Sequence, residues 1–417
     1  MKIQFKTALL CSTVLILSAC GGSDNKTDAP ANQTETIPLN NIVNPVVFTQ
    51  DYTIDDAALN PVSSQRKLVL YKMLGVDGEE TIASTLVLVP TIPSVAPSNG
   101  YPIVVWAHGT TGVADTCAPS ASGLGYYAGV VQALLNAGYI VVAPDYEGLG
   151  TAGNHPFLNL KSEAYSITDA VVAARDYLRK QGLNVSNRWL TVGHSQGGHA
   201  ALGAAQYAAR AKLDYKGTIA LAPASNLLLI LQGGEQQVAS LPPTQQQPVY
   251  AALDAFASLA IAGMQGHKVS VDYSRAFKSQ LAALAPQAET ICYNQMVNTL
   301  YGGMTQHLAN NSNFSNYGRL QDNFTQDAVI KNFLEKDSQP LLTKVSTPVV
   351  IYQGSNDTTV PITATNLLVN SATALGTTIS YKTDTAASIT PKWDHSTVLS
   401  SNMVSVLTEI NTLMPIN

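Results

Sequence analysis

One serine of this chain lies in the local sequence expected of a catalytic nucleophile. Ser195 is the middle residue of Gly-His-Ser-Gln-Gly at 193–197, a Gly-x-Ser-x-Gly pattern. An apolar run precedes it at residues 189–192, and an alanine-rich helical pattern follows at 198–213. A turn this tight between strand and helix needs residues without bulk beside the serine. The sequence therefore predicts a nucleophile elbow that presents Ser195 to a carbonyl carbon.

A serine hydroxyl needs a base that takes its proton, and the base needs a third group that orients it. Among the seven histidines of the chain, His395 is the best candidate base, because it lies in a loop after the last predicted strand. His194 and His199 are too close to Ser195 in sequence to turn onto it. Three more histidines lie in loop or insertion segments and are expected to be solvated or hydrogen-bonded: His155, His267 and His307.

Asp357 is the predicted orienting acid. It follows a predicted strand at 348–352, and loops at the carboxyl ends of strands carry the functional groups of α/β sheets. The chain order serine, acid, histidine also accompanies this type of elbow. Asp394 is a weaker candidate, because a residue rarely reaches the ring nitrogen of its neighbour in sequence, and Asp384 is weaker still.

Ester or amide cleavage also requires donors for the oxyanion. The backbone N–H of Gln196, directly after the nucleophile, is the first predicted donor. The second is expected from the loop at 108–112, which follows a predicted strand at 102–107. Thr110 is the preferred residue there, and Gly109 is the alternative.

The surrounding pattern alternates strands with helices, which predicts an α/β fold with a mostly parallel sheet and helices on both faces. Strands are predicted at 66–74, 81–90, 102–107, 139–144, 189–192, 218–222, 348–352 and 379–382, with helices at 126–137, 162–181 and 198–213. Between the sixth and seventh strands, helical patterns at 249–264, 272–284 and 325–334 predict a helical cap, inserted before the strand that precedes the acid. The predicted domains are a hydrolase core at 41–224 and 346–417 and a cap at 225–345.

The first residues predict export. Residues 1–19 have the basic start and apolar run of a secretory signal, which is too short to span a membrane. The sequence before Cys20 resembles a lipobox, so Cys20 is predicted to carry lipid, with residues 20–40 as a flexible tether. An ordinary signal with an incidental cysteine is the alternative. Gly21 resembles the residue found in lipoproteins sorted to an outer membrane, where we expect this protein.

The four cysteines leave one pair for a disulfide. Cys11 would leave with the signal and Cys20 would carry lipid, so Cys117 and Cys292 remain in an oxidising compartment. A disulfide between them is predicted, and two separate buried thiols are the alternative.

The charge pattern argues against nucleic acid as a partner, because the net charge is −5 and no basic cluster occurs. No cysteine–histidine group has zinc spacing, so neither a metal nor another cofactor is expected. The oligomeric state is not predicted.

Several segments together resemble an α/β-hydrolase and, within that fold, the secretory lipase family of the yeast lipase A type. They are residues 108–112, Cys-Ala-Pro-Ser at 117–120, Asp-Tyr-Glu-Gly-Leu-Gly at 145–150, and the segments at 193–198, 354–361 and 394–395. The resemblance implies hydrolysis of a small-molecule ester or lipid, a helical cap over the acyl site and a disulfide at the position of Cys117. Two alternatives stay open. A serine peptidase or amidase on the same fold would need the region of Glu147 and Glu163 to bind a free amine. A surface lipoprotein that kept the fold without activity is the other.

Overall fold

Nine strands form one mixed sheet in the computed structural model, which describes residues 36–91 and 97–416. The strands are β1 (Val46–Asp51), β2 (Ser63–Leu74), β3 (Glu80–Pro90), β4 (Tyr101–Ala107), β5 (Ile140–Pro144), β6 (Val185–His194), β7 (Asp214–Leu221), β8 (Val349–Gln353) and β9 (Ile379–Thr383). Their order across the sheet is β1-β2-β3-β5-β4-β6-β7-β8-β9. The first three strands are antiparallel to their neighbours, and β5, β4 and β6 to β9 run parallel.

The strands predicted at 66–74 and 81–90 are present as β2 and β3, which form a hairpin. Leu74 pairs with Glu80, and Gly78 in the turn has φ +80°, a conformation that glycine adopts without strain. Strand β1 was not predicted. It lies at the edge of the sheet with Val47 and Phe48 exposed, so it lacks the alternation that reveals a half-buried strand.

Helices cover the sheet and fill the insertion. Those before β8 in the core are α1 (Asp56–Leu59), α2 (Pro119–Ser122), α3 (Ala128–Asn136), α4 (Leu160–Lys180) and α5 (Gln196–Tyr207). The insertion contains α6 (Leu227–Val238), α7 (Pro243–Ala262), α8 (Tyr273–Ala276), α9 (Ser279–Leu284), α10 (Tyr293–Leu308) and α11 (Ala328–Asn332), and α12 (Ile362–Ala374), α13 (Thr397–Ser400) and α14 (Met403–Leu413) follow β8. Short 3-10 helices occupy Asp115–Cys117, Gly125–Tyr127, Ala208–Ala211, Ala285–Glu289 and Phe324–Gln326, and Phe333–Asp337 is a π-helical turn.

The sheet is buried on both faces, as its apolar strands predict. Alternate residues of β4 enter two different cores. Val105 packs in the core that contains Ile167 of α4, and Trp106 packs in the core that contains Leu134 of α3. The predicted α/β-hydrolase fold, with helices on both faces and a helical cap ahead of β8, is confirmed.

The cap has its own core, in which Leu259, Met296 and Phe333 are buried. Its helices differ from the predicted ones. Helix α7 begins at Pro243, six residues before the predicted pattern at 249–264, because proline suits the first turn of a helix. The predicted helix at 272–284 is divided into α8 and α9, and α6 and α10 were not predicted.

None of the helices within residues 36–91 and 97–416 is long and apolar enough to cross a membrane. The predicted signal, Cys20 and most of the predicted tether lie outside the described residues.

Candidate active site

Ser195 lies in a strained turn between β6 and α5. Its backbone has φ 59° and ψ −121°, a region that residues other than glycine adopt at a cost of about 1 to 3 kcal/mol. The turn is fixed to the end of β7, because the Ser195 N–H donates to the Leu221 carbonyl oxygen at 2.9 Å. The strand–turn–helix predicted around Ser195 is therefore present.

The glycines beside the serine allow main-chain segments to approach closely. A Cβ at Gly193 would lie 2.0 Å from the Gly197 carbonyl oxygen. A Cβ at Gly197 would lie 1.9 Å from the carbonyl oxygen of Ala107, at the end of β4. Both distances are far below van der Waals contact, so any larger residue would push the turn off the sheet.

The structure brings together the three residues that the sequence singled out. His395 Nε2 lies 2.9 Å from Ser195 Oγ, and His395 Nδ1 lies 2.8 Å from Asp357 Oδ2. The carboxylate of Asp357 is buried and also accepts from the N–H groups of Thr359 and Val360, at 2.9 and 2.8 Å. The acid is thus fixed by its own loop before it meets the imidazole.

The two weaker acid candidates, Asp394 and Asp384, accept hydrogen bonds from main-chain N–H groups of nearby loops. Asp394 Oδ1 accepts from the N–H groups of Ser396 and Thr397, at 2.9 and 2.7 Å. Asp384 accepts from the N–H of Ser355 at 2.7 Å and from the N–H of Trp393. Both carboxylates therefore hold the loops around His395 and do not orient its ring.

A second histidine fixes the main chain of His395, and the sequence analysis did not foresee this role. His194 Nε2 donates to the His395 carbonyl oxygen at 2.7 Å, and the Tyr127 hydroxyl donates to His194 Nδ1 at 3.1 Å. Burial and the neighbouring His395 lower the pKa of His194 to about 4, so the ring is neutral and has one tautomer. His194, directly before the nucleophile, thus holds the main chain of the candidate base His395, although His194 cannot itself act as that base.

The other histidines are hydrogen-bonded, as expected. His267 Nδ1 lies 3.0 Å from Asp77 Oδ2, and His307 Nε2 lies 3.0 Å from the Asn313 carbonyl oxygen. His155 and His199 lie in a buried cluster behind the elbow.

The two predicted oxyanion residues, Thr110 and Gln196, line the same cavity as Ser195. Gln196 opens α5, where the first N–H groups of a helix have no partner within the helix and attract anions. The loop of Thr110 is supported by Tyr146, whose hydroxyl donates to the His108 carbonyl oxygen at 2.9 Å and whose ring stacks on His108 at 4.4 Å.

The predicted disulfide between Cys117 and Cys292 is present, with the two Cα atoms 5.4 Å apart. It joins the turn after the oxyanion loop to the residue that precedes α10. Gly112 passes directly against it, because a Cβ there would lie 2.7 Å from Cys117 Sγ. The Tyr293 N–H also donates to the Thr111 carbonyl oxygen at 2.8 Å, so loop and cap are joined at two adjacent points.

An apolar cavity extends from Ser195 into the cap. Among the described residues that line it, the polar ones are Thr110, Ser195, Gln196 and Thr359. The remaining walls are apolar, and they include Leu227, Leu253, Phe256, Ile330 and Phe333. The cavity therefore suits an alkyl chain whose carbonyl carbon lies at the serine.

A mostly parallel sheet with helices on both faces, a serine turn after β6 and a helical cap ahead of β8 define an α/β-hydrolase. The sequence profile of the secretory lipase family matches residues 120–412. The chain belongs to the secretory lipase family. This membership supports the interpretation of the chain as a carboxylic ester hydrolase and as an exported protein.

Solved structures share the fold at low sequence identity. A Legionella pneumophila protein described as a candidate hydrolase has 19% identity and a TM-score of 0.66, over 89% of this chain and 100% of that one. The rice cell wall degrading esterase LipA from Xanthomonas oryzae, in a ligand-bound form, has 18% identity and a TM-score of 0.62, over 88% and 97%. Candida antarctica lipase A in its closed state has 18% identity and a TM-score of 0.63, over 89% and 82%. A search of curated proteins found no match.

Proposed function

We propose that this protein hydrolyses carboxylic esters through an acyl-enzyme intermediate on Ser195. The observation that carries the proposal is the continuous set of hydrogen bonds from Asp357 through His395 to Ser195, at the end of an apolar cavity. Each group has the chemistry that its position requires.

In the proposed reaction, His395 Nε2 takes the proton of Ser195 Oγ as the oxygen attacks the ester carbonyl carbon. The protonated ring then gives this proton to the leaving alcohol, and Asp357 stabilises the imidazolium through Nδ1–H. The N–H groups of Thr110 and Gln196 bind the oxyanion, and each such donor is worth about 3 kcal/mol in the transition state. Water repeats the sequence on the acyl-enzyme and releases the acid.

The cavity favours an ester with an apolar acyl chain. Its walls come from cap side chains such as Leu227, Phe256 and Phe333. Each methylene group that leaves water for such walls contributes about 0.8 kcal/mol. We therefore propose that the preference of the enzyme rises with acyl length until the cavity is filled.

Hydrolysis of a peptide or amide is the second candidate, and the two acidic residues that it would need are already engaged. Glu147 accepts from the N–H of Val76 at 3.0 Å and from the Ser162 hydroxyl at 2.5 Å. Glu163 is fully buried and hydrogen-bonded within the core. Neither carboxylate lines the cavity, so neither is placed to bind a free amine there.

A lipoprotein that kept the fold without activity is the third candidate. The backbone conformation of Ser195 is costly, and nothing in such a protein would require it. The hydrogen bonds of the His395 ring to both Ser195 and Asp357 also argue for an enzyme, because a protein without activity would not require them.

A panel of p-nitrophenyl esters of graded acyl length, together with aminoacyl arylamides, tests the proposal. Ester cleavage should exceed arylamide cleavage. Ser195→Ala should remove it, whereas the exposed Ser371→Ala should keep the rate of the unmodified protein. A serine-directed phosphonate should label Ser195. Labelling of another residue, or full activity of Ser195→Ala, would show that the nucleophile is wrongly assigned.

We also propose that the exported protein is held at an outer membrane through lipid on Cys20. Cys20 lies outside the described residues, so this proposal rests on the lipobox-like sequence at 17–20 and the polar residues after it.

A further inference from the structure

Four polar side chains form a buried cluster behind the elbow. They are Glu163 on α4, Gln196 and His199 on α5, and His155 in the loop before α4, which we call the Glu163 cluster. Each is at most 1% exposed. Buried polar groups are costly unless they are paired, so the pairs that form show what the cluster holds in place. Among the described residues, Gln196 Oε1 is the atom of the cluster without a partner.

Glu163 binds two residues of the helix that starts at the elbow. Its Oε2 lies 2.5 Å from His199 Nδ1, and its Oε1 accepts from Gln196 Nε2 at 2.8 Å. The carboxylate thus joins the first turn of α5 to α4.

The pair of Glu163 and His199 carries no net charge. His199 Nε2 lies 3.0 Å from the Ser338 carbonyl oxygen, so this nitrogen must carry a hydrogen. One further proton lies between Nδ1 and the carboxylate. Whichever atom holds that proton, the two side chains together are neutral, so they do not oppose a negative charge that forms nearby.

His155 fixes the other hydrogen of the Gln196 amide. Its Nδ1 donates to the Glu147 carbonyl oxygen at 2.8 Å, so its Nε2 accepts from Gln196 Nε2 at 2.8 Å. Burial lowers the pKa of His155 to about 4, which keeps this acceptor available. Both N–H bonds of the Gln196 side chain therefore have fixed partners, and its position and orientation are set.

This matters because the turn has few other side chains by which it can be held. Residues 197 and 198 are glycines, so Gln196 carries the only side chain in the segment 196–198. The direction of its backbone N–H depends on where that side chain is anchored. We infer that Glu163 is a positioning residue, which acts through the Gln196 side chain to aim the backbone N–H of residue 196 at the oxyanion. The inference rests on the proposed function.

Asp169 provides a matched control on the same helix. It is also fully buried on α4, and its carboxylate binds Arg210 at 2.8 and 2.7 Å and Asn40 at 2.8 Å. These contacts join α4 to Asn40 and to Arg210, which lies after the C-terminal end of α5, the end opposite to the elbow. Asp169→Asn therefore removes a buried carboxylate from α4 but leaves the hydrogen bonds of the Gln196 side chain unchanged.

The first test is a double-mutant cycle on kcat/KM for p-nitrophenyl butyrate. Removal of a whole oxyanion donor costs about 100- to 1,000-fold, so a displaced donor should cost about 10- to 100-fold. Glu163→Gln and Gln196→Met should each cause such a loss, mainly in kcat, and the double variant should lose no more than the worse single variant. Asp169→Asn should stay within about threefold of the unmodified enzyme once folded. Gln196→Met keeps the test valid if Glu163→Gln does not fold.

The second test does not depend on activity. Hydrogen–deuterium exchange of the peptide that spans 193–198 should become faster in Glu163→Gln and stay unchanged in Asp169→Asn. If the unmodified protein cleaves no ester, the proposed function fails while this exchange still decides the positioning role. Unchanged exchange, full activity of Glu163→Gln, additive losses in the cycle, or an equal loss in Asp169→Asn would each overturn the inference.

Discussion

The buried His194 should make the stability of this protein depend on pH in a calculable way. Its pKa falls from the ordinary value of 6.5 to about 4, because the ring is buried and faces His395. Between these two values the unfolded chain binds a proton at this position and the folded protein does not. The free energy of unfolding therefore rises with pH across this window. The contribution of His194 to stability is lost as the pH falls from 6.5 towards 4.

The size of the effect follows from the two pKa values. At pH 4.5 the linkage relation gives a loss of about 2.5 kcal/mol relative to pH 7 for this one residue. His194→Gln has no titrating ring. The variant should be less stable than the unmodified protein at pH 7, because it loses the contacts with Tyr127 and the His395 carbonyl, and this difference should shrink by about 2.5 kcal/mol at pH 4.5.

Urea unfolding at both pH values, followed by tryptophan fluorescence, measures the difference directly. Burial also raises the pKa values of carboxylates such as Asp145 and Glu147, so these groups add to the pH dependence of stability. Because they do so equally in both proteins, their contributions cancel in the comparison. The exposed Ser371→Ala is the control and should leave the pH dependence unchanged. A stability difference between His194→Gln and the unmodified protein that is the same at both pH values would refute the reasoning.

Two further predictions concern covalent features of the chain. The Cys117–Cys292 disulfide closes a sequence separation of 175 residues, so replacing both cysteines by alanine should lower the free energy of unfolding by about 3 to 5 kcal/mol; an unchanged urea midpoint would contradict this. Cys20→Ser should move active enzyme from the membrane fraction to the soluble fraction, and mass spectrometry of the unmodified protein should find lipid on Cys20. Unlipidated protein that still sediments with membranes would contradict the anchor.

The sequence predicted the parts of the candidate site that depend on local pattern. Ser195 follows a buried strand and precedes a helix, and Asp357 and His395 follow the ends of β8 and β9. Parallel strands bring their carboxyl ends to one edge, so three residues far apart in sequence could be placed together. The Cys117–Cys292 bond was predicted by counting cysteines, without knowledge of any distance.

The supporting contacts could not be predicted in this way. Tyr127 reaches His194, and Glu163 reaches Gln196, only because the helices that carry them pack against the same sheet. Nothing in the local sequence of Glu163 marks it as buried, since a glutamate in an amphipathic helix is normally solvated. The missed α10 has a related cause, because Met296, Leu300 and Met304 form a narrow buried stripe in an otherwise polar segment.

The place where the cap joins the sheet makes it an exchangeable module. The chain leaves the carboxyl end of β7 at Leu221 and returns at the amino end of its parallel neighbour β8, where Val349 lies beside Thr218. Because both ends of the insertion are fixed by this one pair of strands, it can change length at small entropic cost, about 0.6 kcal/mol for each doubling. Caps of other sizes could thus be grafted between these strands to redesign the acyl cavity while Ser195 and its partners keep their positions. A grafted cap must also supply a new partner cysteine for Cys117.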